Sequence, residues 1–410
     1  MKVLYFMNHA DHGGAVLALY DLIVELKKIS SDYYPIVITG KKNKLNDMLS
    51  DIGVENYYAD FKNFLSSYKS PYFITHAALW LRYEIGKRKG INEIESLIDF
   101  SEIDVIHSNL DRIDIGALFA QKYSIPHIWH IREHTKIYTG VLVPKAFESE
   151  ETETDFNLVS IKNNPVKYMN SFCNGRNYFI AISKSVKQVW VKKGIASDRI
   201  QLIYDGIRHE LFDVNNREHL LSNSSEDKVK IVFLGGYCKE KGQEEFIQVL
   251  KKISPSILKK LQVDFYGSGD SSYIQKIAKP LVDSGIVRIN AYVPDIYKRL
   301  NSYDVGINCS SAEGFGRVTV EYMLAGLCPL VSNRGANTEL VEDRLNGIIY
   351  EKGNCNDLVE KTAFLVSNPE IIHKYGLAAR NRAIKLFTMS KHANAVMQLY
   401  LDVLGENKND

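Results

Sequence analysis

The sequence predicts an α/β protein built from two doubly wound parallel sheets, and two observations carry that reading. Short apolar runs bounded by Gly, Asn, Ser or Asp recur along the 410 residues, and apolar residues at helical spacing lie between several of them. Such runs suit strands buried on both faces, as in a parallel sheet covered by helices. The series then restarts in the second half, which implies two domains rather than one large sheet.

In order, the first-half strands are VLYFMN (3–8), PIVITG (35–40), DVIHSN (104–109), PHIWHI (126–131), YFIAIS (178–183) and QLIYDG (201–206). Val16, Leu19, Tyr20, Ile23 and Val24 mark a helix after the first of them. The second series is VKIVFLGG (229–236), VDFYGSG (263–269), VRINAYV (287–293), VGINCS (305–310), CPLVSN (328–333) and GIIY (347–350). Between the two lies the polar stretch NNREHLLSNSSEDK (215–228). The expected domains are therefore 1–205 and 229–385, joined by a hinge over 206–228. Ala393, Val396, Met397, Tyr400, Leu401 and Leu404 give the C-terminal segment an apolar helical stripe.

Composition narrows the function. Fifty-one basic against 49 acidic side chains leave a net charge of +2, too balanced for a dedicated nucleic-acid binder. With 45% hydrophobic residues the chain is no disordered polymer, and no run approaches the ~18–20 apolar residues of a membrane span. The first residues lack the pattern of a signal peptide. The five cysteines (Cys173, Cys238, Cys309, Cys328, Cys355) are odd in number and include no CxxC pair. That argues against a disulfide framework or zinc site and for a reducing, cytoplasmic location.

Ligands of doubly wound sheets bind beyond the carboxyl ends of the strands, so chemistry is sought there. The richest end is SSAEGFGRVTVEYMLAGLCPLVSN, where Glu313 and Glu321 stand eight apart. Gly314 and Gly316 let the backbone approach a ligand, and a helix from about Val318 would turn its amide end toward phosphate or sugar oxygens. Glu321 could accept from a ribose diol and Glu313 from a hexose, or both could be helix-start carboxylates. A second cluster, HIWHIREH (127–134), sets His130 at a strand end with Arg132, Glu133 and His134 just beyond, suited to an acceptor or its phosphate. His107 and Asn109 are candidates of the same kind. His9 and His12 fit no metal-ligand spacing well, and no metal is expected.

The segment around Glu313 and Glu321 resembles the signature of glycosyltransferase family 4, a Glu, seven residues and a second Glu within SxxEGFGxxxxEAMAxGxPV. Tyr322 and Leu324 stand where Ala is usual, and Cys328 delays the proline to Pro329. GG at 13–14, IAIS at 180–183, IYDG at 203–206, EKG at 240–242, YGSG at 266–269 and GANTE at 335–339 follow in the family's order. The resemblance implies the GT-B fold: two Rossmann-like domains facing across a cleft, with the last helix, about 386–405, packing back on the first.

It also implies roles. His130 would contact the donor sugar from the first domain, Glu313 would hold that sugar's hydroxyls, and Glu321 the ribose. Lys241 would neutralise the diphosphate, approached by the amides of Phe315, Gly316 and Arg317 and, from the first domain, by Gly13 and Gly14. Gly267, Gly269 and the turn after Val293 would lie near the base. Members commonly carry Gly-Arg before EKG. Here the pair is Gly235-Gly236, so Arg317 is the candidate replacement, and Asp205 stands where Asn is typical. The chain has no Asp-x-Asp, in keeping with a metal-independent enzyme that needs no cofactor.

The expected function is retaining transfer from a UDP- or GDP-sugar to a glycan, lipid-linked or protein-linked acceptor, in cell-surface polysaccharide or glycoconjugate synthesis. A GT-B nucleotide-sugar epimerase and a non-catalytic GT-B partner subunit are the alternatives. Residues 61–90 mix aromatic, aliphatic and basic side chains, with Tyr72, Phe73, Leu79 and Trp80 beside Lys87, Arg88 and Lys89. That segment reads first as a helix packed on the first domain, and otherwise suits the inner face of an anionic membrane.

Overall fold

In the computed structural model each apolar run named above becomes a strand, with ends displaced by a few residues. The structure describes residues 1–7, 13–67, 73–134, 136–138, 154–157, 165–172, 177–212 and 228–406. Asn8, His9, His12, Tyr72, Cys173, the side chains of Phe73 and Leu79, and nearly all of the 215–228 stretch lie outside the described residues.

The first half contributes β1 (Lys2–Met7), β2 (Tyr34–Thr39), β3 (Glu55–Tyr58), β4 (Leu65–Ser67), β5 (Val105–Ser108), β6 (His127–Ile131), β7 (Lys136–Tyr138), β8 (Thr154–Asn157), β9 (Asn177–Ala181) and β10 (Ile200–Leu202). Seven of these form one sheet in the order β10-β9-β6-β5-β1-β2-β3. Its neighbours pair in parallel, with Val3 opposite Pro35 and Val105 on its two sides. Val3 to Met7 are all buried, as a continuous apolar run between two helical layers should be. The sequence reading lacked β3, an edge strand ENYY with both end residues exposed. It also lacked the small sheet β4-β8-β7, whose segments LSS, TDFN and KIY are too short and polar to read as strands.

The second half contributes β11 (Val229–Leu234), β12 (Leu261–Gly267), β13 (Val287–Ala291), β14 (Val305–Asn308), β15 (Cys328–Ser332) and β16 (Ile348–Tyr350). They form a parallel sheet ordered β13-β12-β11-β14-β15-β16. Ile231 of β11 stands opposite Val263 on one side and Val305 on the other. Phe233 and Phe265 stack at 5.2 Å in the core, with Phe246 from the helix Gln243–Lys252 against both. In both sheets the chain starts in the middle, winds outward to one side, then returns to fill the other. That reversal creates a topological switch point beside the first strand.

The chain divides into two units, Met1–Gly206 with Ser390–Asp410, and Ile207–Met389. The C-terminal helix Met389–Glu406 thus belongs almost wholly to the first unit. Ile207 starts the second, bridged to Thr388. Among the described cysteines, Cys238, Cys309, Cys328 and Cys355 are free thiols.

Candidate active site

In the second unit the switch point falls between β11 and β14. The chain leaving β11 runs through Gly235 and Gly236 to a 3-10 turn, Lys239–Lys241, while that leaving β14 runs through Glu313 to the helix Arg317–Leu324. The two loops meet. Lys241 Nζ lies 3.2 Å from Glu313 Oε2, the lysine one-third exposed and the carboxylate 15% exposed. Residues 72 apart in sequence are joined where the fold places ligands.

Each loop is shaped by a glycine that no other residue could replace without movement. Gly242 (φ +77°) would set a Cβ 2.4 Å from the Cys309 carbonyl, and Gly335 (φ +56°) one 2.3 Å from the Glu313 carbonyl. The GANTE segment is therefore the back wall of the Glu313 loop, and the Ala336 amide donates to Glu313 O at 2.9 Å. Behind it, Asn308 Nδ2 donates to Thr319 Oγ1 at 2.9 Å, and Thr319 Oγ1 donates to Asn337 Oδ1 at 3.1 Å. These buried polar residues tie loop to helix; Thr319 and Asn337 lie within the segments recognised in the sequence, but no role was assigned to either there.

Gly316 caps the helix in a left-handed conformation (φ 90°) and offers no side chain to its first amides. Phe315 is buried edge-on against Phe387 at 5.8 Å, which fixes the loop ahead of that helix. Gly314, Arg317 and Glu321 are half-buried. The Tyr292 phenol, next to Val293, is raised by burial and then by the negative charge of Glu321 and Asp295, so the turn after β13 lies near the helix face that carries Glu321.

Tyr322, an Ala in the family's usual pattern, has a local explanation. Its ring fills the space above Gly306 of β14, where a Cβ would come within 2.1 Å of it. Its hydroxyl accepts from the Leu234 amide at 2.7 Å and donates to the Ile307 carbonyl at 3.2 Å. Gly267 is likewise demanded by packing, its Cβ position 2.1 Å from Gly235 O, and Gly269 by its positive φ of 94°. Gly236 is unconstrained by comparison, with its nearest neighbours at 3.7 Å.

In the first unit Gly13 caps the helix Gly14–Ile29; both glycines are exposed, and a Cβ on Gly13 would meet nothing within 4 Å. The HIWHIREH residues separate into two groups. His130 and Arg132 are buried, as are His107 and Asn109, while Glu133 is exposed and His134 half-buried. Arg132 holds the interior group together. Its Nη1 lies 2.7 and 2.8 Å from the two Asp205 oxygens, its Nε 3.0 Å from Asn109 Oδ1, and its Nη2 3.3 Å from His130 Nδ1. The aspartate of IYDG, where Asn is usual, is thus the counter-ion of a buried arginine. Both ring nitrogens of His107 are engaged, by Tyr400 and by His130. Toward the surface, Glu133 pairs with Arg112 at 3.0 Å and His134 Nε2 lies 2.8 Å from Ser185 Oγ.

His130, Asp205 and His392 bring one ligand-type atom each within 4.8 Å of one another. Arg132 bonds both oxygens of that carboxylate. A guanidinium there neutralises Asp205 and repels a cation, so the donor set suits an ion pair better than a metal. Burial, then the charge of Arg132, holds His107 and His130 well below the ordinary histidine pKa, and burial pushes His127 down to about 3.

The site can be set beside known proteins. Residues 216–382 match the model of glycosyl transferases group 1, and 12–211 that of glycosyltransferase family 4. The chain is 26% identical over 332 residues to the uncharacterized glycosyltransferase MJ1178 of Methanocaldococcus jannaschii, covering 78% of each. It is 28% identical over 148 residues to the poly(ribitol-phosphate) alpha-N-acetylglucosaminyltransferase of Staphylococcus aureus, covering 35% of this chain and 30% of that one. Among solved structures, Anabaena Alr3699/HepE in complex with UDP superposes with a TM-score of 0.75 at 17% identity, covering 98% of this chain and 100% of that one. The chain belongs to glycosyltransferase family 4, and its two Rossmann-like domains are those of the GT-B fold.

Proposed function

We propose that the chain is a retaining glycosyltransferase that moves a sugar from a nucleoside-diphosphate sugar to a hydroxyl of a glycan, lipid-linked or protein-linked acceptor. The observation that carries this reading is the Lys241–Glu313 pair at the switch point, beside the helix that presents Glu321. Glu321 accepts from the ribose diol and Glu313 from the sugar's hydroxyls. Lys241, the first amides of the helix Arg317–Leu324 and the Arg317 side chain neutralise the diphosphate, so Arg317 stands in for the arginine that Gly236 replaces. As the anomeric C–O bond breaks, its electron pair passes to the diphosphate oxygen, where that positive charge counts most. The acceptor hydroxyl bonds to the anomeric carbon from the same face, and its proton goes to the departing phosphate oxygen. No protein nucleophile, divalent metal or cofactor takes part. His130 donates to the transferred sugar, and Glu133 and His134 serve the acceptor.

UDP is the favoured nucleotide because the Anabaena structure of the same fold holds it. Synthesis of a cell-surface polymer is supported by the Staphylococcus relative, which acts on poly(ribitol-phosphate). Within the helix Phe73–Leu97, Tyr83, Gly90 and Ile94 are buried, while Trp80, Leu81 and Ile85 are exposed beside Arg82, Arg88 and Lys89. That face suits a lipid-borne acceptor at an anionic, cytoplasmic membrane surface. Cosedimentation with anionic vesicles that Trp80→Ser and Ile85→Ser leave unchanged would remove this part.

The test of the activity is product analysis with a panel of UDP- and GDP-sugars and acceptor glycans. The expected products are free nucleoside diphosphate and a glycoside whose anomeric configuration, read by proton NMR, matches the donor. An isomerised donor would make the chain an epimerase, an inverted glycoside would refute retention, and bound but unreacted donor across the panel would make it a partner subunit.

A further inference from the structure

The first unit contains a file of buried hydroxyl and imidazole groups whose hydrogen bonds can run in one direction only. Tyr33 Oη lies 2.6 Å from Tyr5 Oη, which lies 2.8 Å from Tyr400 Oη. Tyr400 Oη lies 2.7 Å from His107 Nδ1, and His107 Nε2 lies 3.1 Å from His130 Nδ1. All five side chains are buried. The file joins β1, the residue just before β2, β5, β6 and the C-terminal helix, so it is assembled only when that helix is in place.

Arg132 sets the direction. A guanidinium only donates, so His130 Nδ1, 3.3 Å from Arg132 Nη2, must present a lone pair. His107 Nε2 then carries the proton and donates to that lone pair, which leaves His107 Nδ1 an acceptor and Tyr400 its donor. With its one proton committed, Tyr400 accepts from Tyr5, and Tyr5 in turn from Tyr33. Reversing any one link would set two protons or two lone pairs against each other. The charged and titratable neighbours are Arg132, Asp205, His392 and His127; burial and the arginine keep both file imidazoles neutral. Neutral His130 therefore carries its proton on Nε2, a fully buried nitrogen without a partner among the described residues. A buried donor so carefully polarised and left without an acceptor points to a ligand oxygen.

We propose that Tyr33, Tyr5, Tyr400 and His107 are positioning residues that, together with Arg132, lock His130 as its Nε2–H tautomer, making it an obligate hydrogen-bond donor to the transferred sugar and excluding it as a proton acceptor. The ligand assignment rests on the proposed function; the tautomer rests on the protein alone. The file also gives the C-terminal helix a task beyond packing, since Tyr400, read in the sequence as part of an apolar stripe, is its central link.

The test begins without substrate. In full-length protein labelled with 15N-histidine, long-range 1H–15N correlations report which ring nitrogen carries the proton, and His130 is identified by the signal lost in His130→Gln. The expected result near neutral pH is one neutral species protonated at Nε2. A ring protonated at Nδ1, a charged ring or two tautomers in exchange would overturn the proposal. In Tyr400→Phe, His107 Nδ1 loses its donor, and a second tautomer should appear at His107 and, more weakly because Arg132 still donates, at His130; an unchanged pattern at both rings would show that the file does not set it. If that variant does not fold, His107→Leu removes the donor to His130 Nδ1 itself, and a second tautomer is then sought at His130. For the ligand half, Gln keeps an N–H donor near the Nε2 position and Leu does not, so His130→Gln should transfer sugar at least tenfold faster than His130→Leu. Equal rates beside a locked tautomer would overturn the donor role, and with it the place of His130 in the proposed function, while the file itself would stand.

Discussion

Lys241→Ala separates catalysis from folding. The pair with Glu313 spans 3.2 Å, but the lysine is 35% exposed, so solvent screens it and the pair is worth at most about 1 kcal/mol to the fold. For a unit of this size, that loss lowers the melting temperature by only about 2–4 °C. In the proposed reaction the demand on Lys241 is larger. Removing one group that stabilises developing charge in a water-poor site costs about 2.7–4 kcal/mol, or roughly 10²–10³ in turnover. The assay is release of nucleoside diphosphate at saturating donor and acceptor, with differential scanning fluorimetry of the same samples. Lys241→Arg, which keeps the charge, should lie between the two. Wild-type turnover in Lys241→Ala would refute the assignment, and a collapse of melting temperature alongside activity would make Lys241 a structural residue.

Three further predictions rest on other parts of the molecule. Gly306→Ala would drive a methyl group to within 2.1 Å of the Tyr322 ring and should cost about 1–3 kcal/mol in urea unfolding, whereas in a Tyr322→Ala background the same change should cost less; strict additivity would contradict this packing. Asp114 accepts from the Tyr83 and Tyr168 hydroxyls, and burial pushes its pKa up to about 6. The folded state therefore holds this proton more tightly than the unfolded chain, so its contribution is present below about pH 4 and lost as pH rises through 6. Between pH 4 and 7 the stability of Asp114→Asn relative to wild type should improve by on the order of 2–3 kcal/mol, and a constant difference would refute the shift. Finally, under the proposed mechanism, in which cationic side chains and helix amides take the place of a metal at the diphosphate, a chelator should leave turnover within about twofold of the untreated protein; a loss restored by Mg²⁺ would refute metal independence.

Both large sheets were legible because strands buried on two faces leave runs such as VLYFM and VKIVFL, which little else produces. The edge strand ENYY and the three short strands leave no such run, for their residues face solvent or pair too briefly. Lys241 and Glu313 were readable because each lies in the loop that follows a strand at the switch point. Their meeting was not, since it depends on loops cut to shape by Gly242 and Gly335. The HIWHIREH cluster reads as one row of ionisable groups in sequence, yet strand alternation and the turn after β6 send Arg132 inward and leave Glu133 exposed. Asp205, His392 and Tyr400 could not be joined to that cluster from spacing, since only the fold brings the C-terminal helix back to β5 and β6.

The central claim is that a nucleoside diphosphate lies at the β11–β14 switch point with its ribose on Glu321, and isothermal titration calorimetry of UDP tests it most directly. Wild-type protein should bind one UDP per chain, with GDP titrated in parallel to settle the base. In Glu321→Ala the ribose hydroxyls lose their acceptor, which should weaken binding by about 1–3 kcal/mol, roughly 5- to 150-fold, while the melting temperature without ligand stays close to wild type. No binding of either nucleotide to the wild type, or equal affinity in a folded Glu321→Ala variant, would contradict the account.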